Sequence, residues 1–107
     1  MSVIDLIAEE RRRQQDEEGF SLAHDDEHVG GELATAAACY AIPNYHQARA
    51  GMHDTLAPPA IWPWKGDAWR PTPGDRKREL VIAAALLVAE LERLDRAEAR
   101  TGEAAAV

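Results

Sequence analysis

The stretch "TPGDRKRELVIAAALLVAELERLDRAEAR", residues 72–100, constrains the fold more than any other part of the chain. From Leu80 to Leu91 its only polar residue is Glu90. Leu80, Ala84, Leu87, Leu91 and Leu94 recur at steps of four and three, the spacing of one helix face. The sequence therefore predicts a long helix with that stripe buried. Thr72 reads as its N-cap, Pro73 as its first helical residue, and Asp75 falls near the third position. Gly102 reads as its stop, with "EAAAV" as a frayed tail. Apolar residues also lie off the stripe. Two further helices in a chain of 107 residues leave part of that surface uncovered, which predicts a homo-oligomer, dimer or higher, joined through this helix.

Two shorter helices are expected ahead of it. In "VIDLIAEERRRQQDE" the apolar Val3, Ile4, Leu6, Ile7 and Ala8 precede a charged tail. Ser2 with Asp5 makes a capping-box pair, and Gly19 is a natural stop. Arg11, Arg12 and Arg13 with Asp16, Glu17 and Glu18 read as a solvated, ion-paired face. In "GELATAAACYAI" the residues Leu33, Ala36, Ala37, Tyr40 and Ala41 mark one face. That helix is expected to start near Asp26 or Gly30 and to stop before Pro43, because the residue before proline avoids the helical region. Residues 44–71 hold four of the six prolines together with Trp62, Trp64 and Trp69. That segment is too long for a simple connector, and residues 51–58 read as its mobile part. No internal repeat, alternating strand pattern or Gly-rich phosphate loop is present. The expected fold is all-α: one domain over residues 1–107, with about three main helices and a long Trp/Pro-rich loop between the second and third. Its parts are a helix over 1–18, a turn and helix over 19–43, the loop over 44–71, the long helix over 72–101 and a tail over 102–107.

Composition narrows the partners. Apolar residues at 46% and charged residues at 29% place the chain among globular proteins. A net charge of −7 argues against general nucleic-acid binding and against anionic membranes, since neutralising phosphates needs clustered Lys and Arg. The single cysteine, Cys39, excludes an internal disulfide. No apolar run approaches the roughly 18 residues of a membrane span. The start "MSVIDLIAEERRRQQ" lacks the basic head and long apolar core of a signal peptide. A soluble cytoplasmic protein is the expectation.

Chemistry concentrates in two places. In "EGFSLAHDDEH" the residues His24 and His28 lie four apart, as ligands on one helix face would. Glu32, four further on, completes a possible metal set of His24, His28 and Glu32. A divalent ion there, beside an Asp, would activate water. Further ligand candidates are Glu79, Glu90, His46 and His53, without a matching motif. Gly30-Gly31 opposes one continuous helix through this stretch, at about 1 kcal/mol per glycine relative to Ala. The structural reading is plainer. Ser21, Asp25 and Asp26 cap a helix, or Asp25 or Asp26 anchors Arg70 or Arg76.

The second place is "WPWKGDAWRPTPGDRKR". Proline stiffens the pair Trp62 and Trp64, which serve either as a lid over the core or as a stacking platform. Lys65, Arg70, Arg76, Lys77 and Arg78 make this a basic island in an acidic chain, at the start of a helix whose N-terminus favours phosphate. The ligand-binding candidates are accordingly His24, Asp25, Asp26, His28, Trp62, Trp64, Trp69, Arg70 and Arg76. No catalytic residue and no cofactor is assigned.

In their order, "EGFSLAHDDEH", "GELATAAACYA", "WPW", Trp69 before Arg70-Pro71, and a final helix carrying "ERLDR" resemble a family of small phage and prophage proteins of unknown function. That family includes the C-terminal domains of the Ead/Eae-type early proteins of lambdoid phages. The likeness spans nearly the whole chain. Phe20 stands where the family usually has Trp, and Ala68-Trp69-Arg70-Pro71 where it has Trp-Trp-Lys-Pro. The resemblance implies an accessory phage protein in the cytoplasm of the bacterial host cell, and implies no activity. A shorter likeness to the ryanodine-receptor-type repeat domain points towards ligand binding. The expected function is binding of a nucleotide-like small molecule, so as to sequester a host anti-phage defence signal such as a cyclic nucleotide or an ADP-ribose derivative. The alternatives are a metal-dependent nucleotide phosphohydrolase using His24, Asp25, Asp26 and His28, and an inhibitor of a host enzyme acting by protein contact.

Overall fold

The computed structural model describes residues 1–42 and 57–106, the last four for their backbone only. Among the described residues four α-helices follow one another: α1 (Val3–Glu17), α2 (Leu22–Glu27), α3 (Glu32–Ala41) and α4 (Arg76–Ala106). A single 3-10 turn spans Gly66–Ala68, and there is no strand among the described residues. The all-α expectation holds among the described residues, where α2 is a short helix separate from α3. Of the expected long loop, residues 44–56, with His46, His53 and most of the stretch read as mobile, lie outside the described residues.

The helix ends follow local chemistry. Ser2 Oγ accepts from the Asp5 N–H at 3.1 Å, and Asp5 Oδ2 accepts from the Ser2 N–H at 3.1 Å, a reciprocal capping box. After α1 the chain turns at Gly19, whose φ of 75° suits glycine, and the Phe20 N–H reaches the Gln14 carbonyl at 3.0 Å. Ser21 Oγ then caps α2 through the His24 N–H at 3.1 Å. The stretch from His28 to Gly31 breaks the path, so "HDDE" sits on its own short helix and α3 starts afresh behind Gly31. Thr72 is not the cap of α4. Thr72 to Asp75 is a tight turn closed by the Asp75 N–H on the Thr72 carbonyl at 3.0 Å, with Pro73 and Gly74 (φ 85°) at its centre. Asp75 caps the helix instead, its Oδ1 accepting from the Arg78 N–H at 3.1 Å. At the other end α4 runs through Gly102 rather than stopping there.

The apolar core lies between α3 and α4. Leu33, Ala36, Ala37, Cys39 and Tyr40 pack against Ile82, Ala83, Leu86 and Ala89, and Trp69 closes the end. The alanines let the two helices approach closely. Ala41, expected on the same face, is exposed. Burial pushes the Cys39 thiol up to about 11, so it stays a neutral packing group.

Two expectations about faces are overturned. The stripe Leu80, Leu87, Leu91 and Leu94 is exposed, because α4 turns Ile82, Ala85, Leu86 and Ala89 inward instead. In α1 the order is also reversed: Val3 and Ile4 are exposed, while Glu10, Arg11 and Gln14 are buried. The charged face is internal because it meets charges on α4 and α2. Glu10 accepts from Arg13 at 2.7 and 2.8 Å and from Arg78 at 2.6 Å. Arg11 donates to Asp25 at 2.7 Å and to Glu92 at 3.1 Å. Arg96 holds Asp26 at 2.8 and 3.0 Å.

Candidate functional site

Phe20, His24 and His28 step by four, and the short helix α2 brings their rings together. Phe20 stacks on His24 with centroids 4.7 Å apart and planes 9° apart. His24 and His28 meet edge to face at 4.5 Å. Trp64 closes the group, 5.2 Å from His28 and 5.5 Å from Phe20. From Trp64 the aromatic contacts continue to Trp62 at 5.4 Å, from Trp62 to Trp69 at 5.0 Å, and from Trp69 to Tyr40 at 4.6 Å. Half-buried Trp62 and Trp64 form the outer part of this row. Trp69 is only 5% exposed and belongs to the core.

The two imidazoles are held at both ends. His24 Nδ1 lies 3.2 Å from Asp25 Oδ1, and His28 Nδ1 lies 3.2 Å from Glu32 Oε2. A carboxylate oxygen accepts, so in both contacts the imidazole Nδ1 is the atom placed to donate. The remaining nitrogens, both Nε2, face each other at 3.2 Å. The four groups Asp25, His24, His28 and Glu32 thus lie in one chain of hydrogen-bond contacts. The Glu32 carboxyl is kept below its usual range by its own backbone N–H and by His28, against the opposing effect of burial.

This geometry separates Glu32 from the proposed metal set. Its carboxylate meets the far nitrogen of His28, not the point where the two Nε2 atoms face each other. Among the described residues, no three His, Cys, Asp or Glu side chains are placed to hold one metal ion. Such a carboxylate–imidazole arrangement orients ring nitrogens, the role carboxylates also play behind metal-bound histidines.

The remaining candidates are placed elsewhere. Asp25 does not anchor Arg70 or Arg76; it is fully buried against Arg11 and ties α2 to α1. Asp26 points the other way, to Arg96 and Arg100, and ties α2 to α4. Hydrogen bonds from Arg96 outweigh burial and hold its carboxyl below the usual range. Arg76 caps the C-terminus of α3, donating to the carbonyls of Tyr40 at 2.9 Å, Ala41, and Ile42 at 3.3 Å. Arg70, unlike Arg76, keeps its side chain at the surface, as Lys65 and Lys77 do. Its side chain is 65% exposed and rests on Glu18 at 3.2 Å. Its backbone N–H donates to Tyr40 Oη at 3.0 Å, and burial pushes that phenol up to about 12.

Phe20, Arg13, Gln14, Trp62, Trp64 and Arg70 line a cavity of about 30 Å³. That holds a water molecule or two, not a nucleobase. Gln14 Oε1 and Trp64 Nε1, both of which belong to residues lining it, are buried without a hydrogen-bond partner among the described residues. Of these residues, Phe20 was legible in principle, since its spacing of four from His24 matches the spacing of the histidines. Gln14 carried no such signal. A larger groove of about 420 Å³ lies between α1 and the start of α4, but there Glu9, Glu10 and Asp75 face Arg13, Lys77 and Arg78. Equal numbers of opposite charges give it no preference for an anion. No family model, curated protein or solved structure matches the chain.

Proposed function

We propose that the chain binds a nucleotide-like small molecule at the imidazole–indole face and holds it intact, as an accessory phage protein that sequesters a host defence signal. The observation that supports this most is the convergence of Phe20, His24, His28 and Trp64, with two Nε2 atoms 3.2 Å apart. Aromatic rings offer a stacking surface to a base, and the paired imidazoles give that surface a polar end. Exposed Arg70, resting on Glu18, supplies a cation beside Trp62 and Trp64. The enclosed cavity is far too small for a base, so the base rests on the outer faces of Trp62 and Trp64. Binding fits better than hydrolysis because Asp25 and Asp26, the carboxylates next to the imidazoles, are engaged by Arg11 and Arg96.

The test is calorimetry and native mass spectrometry with a panel of cyclic mono- and dinucleotides and ADP-ribose. The expected result is one intact ligand per chain, with affinity falling at least about 10-fold in Trp64→Ala and in His28→Ala, a loss of about 1.4 kcal/mol. Absence of binding across the panel at about 1 mM ligand, the weak limit near 4 kcal/mol, would sink the reading. So would a Trp64→Ala variant that binds as well as the parent.

A further inference from the structure

We propose that α4 is the seam of an antiparallel homodimer, an inference independent of the ligand reading. Leu80, Leu87, Leu91 and Leu94 keep 45%, 47%, 62% and 42% of their surface exposed, although they lie in the middle of the longest helix. With Ala84 they alternate by four and three residues. That period of 3.5 is the one that two helices share when they wind about each other. The same helix already satisfies its own core with Ile82, Leu86 and Ala89. The leucines are a second apolar face.

The exposed apolar surface continues onto α1. A groove of about 480 Å³ runs between the helices, with Ile4, Ile7, Ala84 and Val88 among its walls. Ile4, at 73% exposure, stands on its rim. A chain that buries Glu10 and Arg11 while leaving Ile4 and four leucines in water has its apolar surface arranged for a neighbour.

Charge along the seam selects the neighbour and its direction. At the start of α4 the exposed seam residue is Lys77; towards its end Glu92, Asp95 and Glu98 are exposed, with Arg100 turned aside to Asp26 of α2. One end of the stripe is therefore basic and the other acidic. A second copy running antiparallel sets each basic end on an acidic one, and it opposes the helix dipoles. In the register that pairs the two alternating positions, Leu80 meets the partner's Leu91 and Ala84 meets the partner's Leu87. Lys77 then lies across the partner's Leu94, with its ammonium beside the partner's Asp95 and the partner's Glu98. A parallel pair would instead stack Lys77 on Lys77 and Glu98 on Glu98.

Sedimentation equilibrium of the full chain tests this. The expected mass is that of two chains. Leu87→Glu together with Leu91→Glu weakens the dimer by at least about 100-fold. The helical circular dichroism is retained, because both side chains already face water in the single chain. Lys77→Glu loosens the dimer, and adding Asp95→Lys and Glu98→Lys to the same chain restores it. A single-chain mass at about 100 μM, well above a micromolar dissociation constant, overturns the proposal. A dimer indifferent to the leucine pair does so as well. A dimer indifferent to Lys77→Glu overturns the antiparallel arrangement.

Discussion

The two inner flanks of α4 are built from opposite chemistry. Towards α3 the contact is apolar, with Leu33, Ala36, Ala37 and Tyr40 on Ile82, Leu86 and Ala89, sealed by Trp69. Towards α1 and α2 the most buried contacts are ionic, with Glu10 between Arg13 and Arg78, Arg11 between Asp25 and Glu92, and Asp26 on Arg96. Apolar burial stabilises in proportion to area and tolerates small shifts. A buried ion pair contributes little net stability, because removing both charges from water offsets their attraction. It is costly, though, when one partner is missing. The α3 flank therefore supplies most of the folding free energy, and the α1–α2 flank fixes where the imidazoles stand. Asp25 shows the link most directly, since its two oxygens hold Arg11 and His24 at once.

Substitutions that act on one flank at a time sharpen this contrast. Trp69→Ala should have the largest effect, about 4 kcal/mol of unfolding free energy by urea titration, as buried Trp-to-Ala changes generally do. That loss should be insensitive to salt. Asp25→Asn should cost about 3 kcal/mol, because it leaves the Arg11 charge buried without its counterpart. The paired change Arg11→Met with Asp25→Leu should recover most of that loss while displacing His24, seen as altered imidazole resonances in NMR spectra. If the paired change is as unstable as Asp25→Asn alone, the ionic flank stabilises the fold outright and the contrast fails.

The same division explains what the sequence disclosed. The α3 flank was readable because Leu33, Ala36, Ala37 and Tyr40 follow helix spacing and are all apolar. The caps Ser2 and Ser21 were readable because a hydroxyl three residues before a free N–H is a local signal. The ionic flank was not. Arg11 sits in a run of three arginines that looks like surface, and its partners are Asp25 and Glu92, the second 81 residues away. Nothing local marks such a pair. The leucine stripe misled for a related reason: α4 has two apolar faces, and periodicity alone does not say which one α3 covers. For the site, the spacing of four brought Phe20, His24 and His28 together as pattern reasoning allows. The separation of Asp26 and Arg76 from that face depended on long-range partners.

Acid probes the contrast with the smallest perturbation. Burial alone would push the Glu10 carboxyl up, but hydrogen bonds from Arg13 and Arg78 prevail and hold it below its ordinary value of 4.5. A carboxyl with a lower value in the folded chain than in the unfolded chain stabilises the fold fully above the unfolded value. That contribution is lost as the pH falls through the folded value. Asp26 is shifted in the same direction by Arg96. The α3 flank has no carboxyl in its apolar cluster to titrate. Lowering the pH from neutral to about 3, beneath the ordinary carboxylate range, should therefore open amide exchange in α1 and α2 before α3 and the middle of α4. Glu10→Gln should cost about 2 kcal/mol at neutral pH, as loss of a charged hydrogen-bond acceptor does, and should flatten the acid limb of the stability curve. Uniform loss of protection across all four helices would mean that the flanks unfold as one unit, and that the charged side carries as much of the fold as the apolar side.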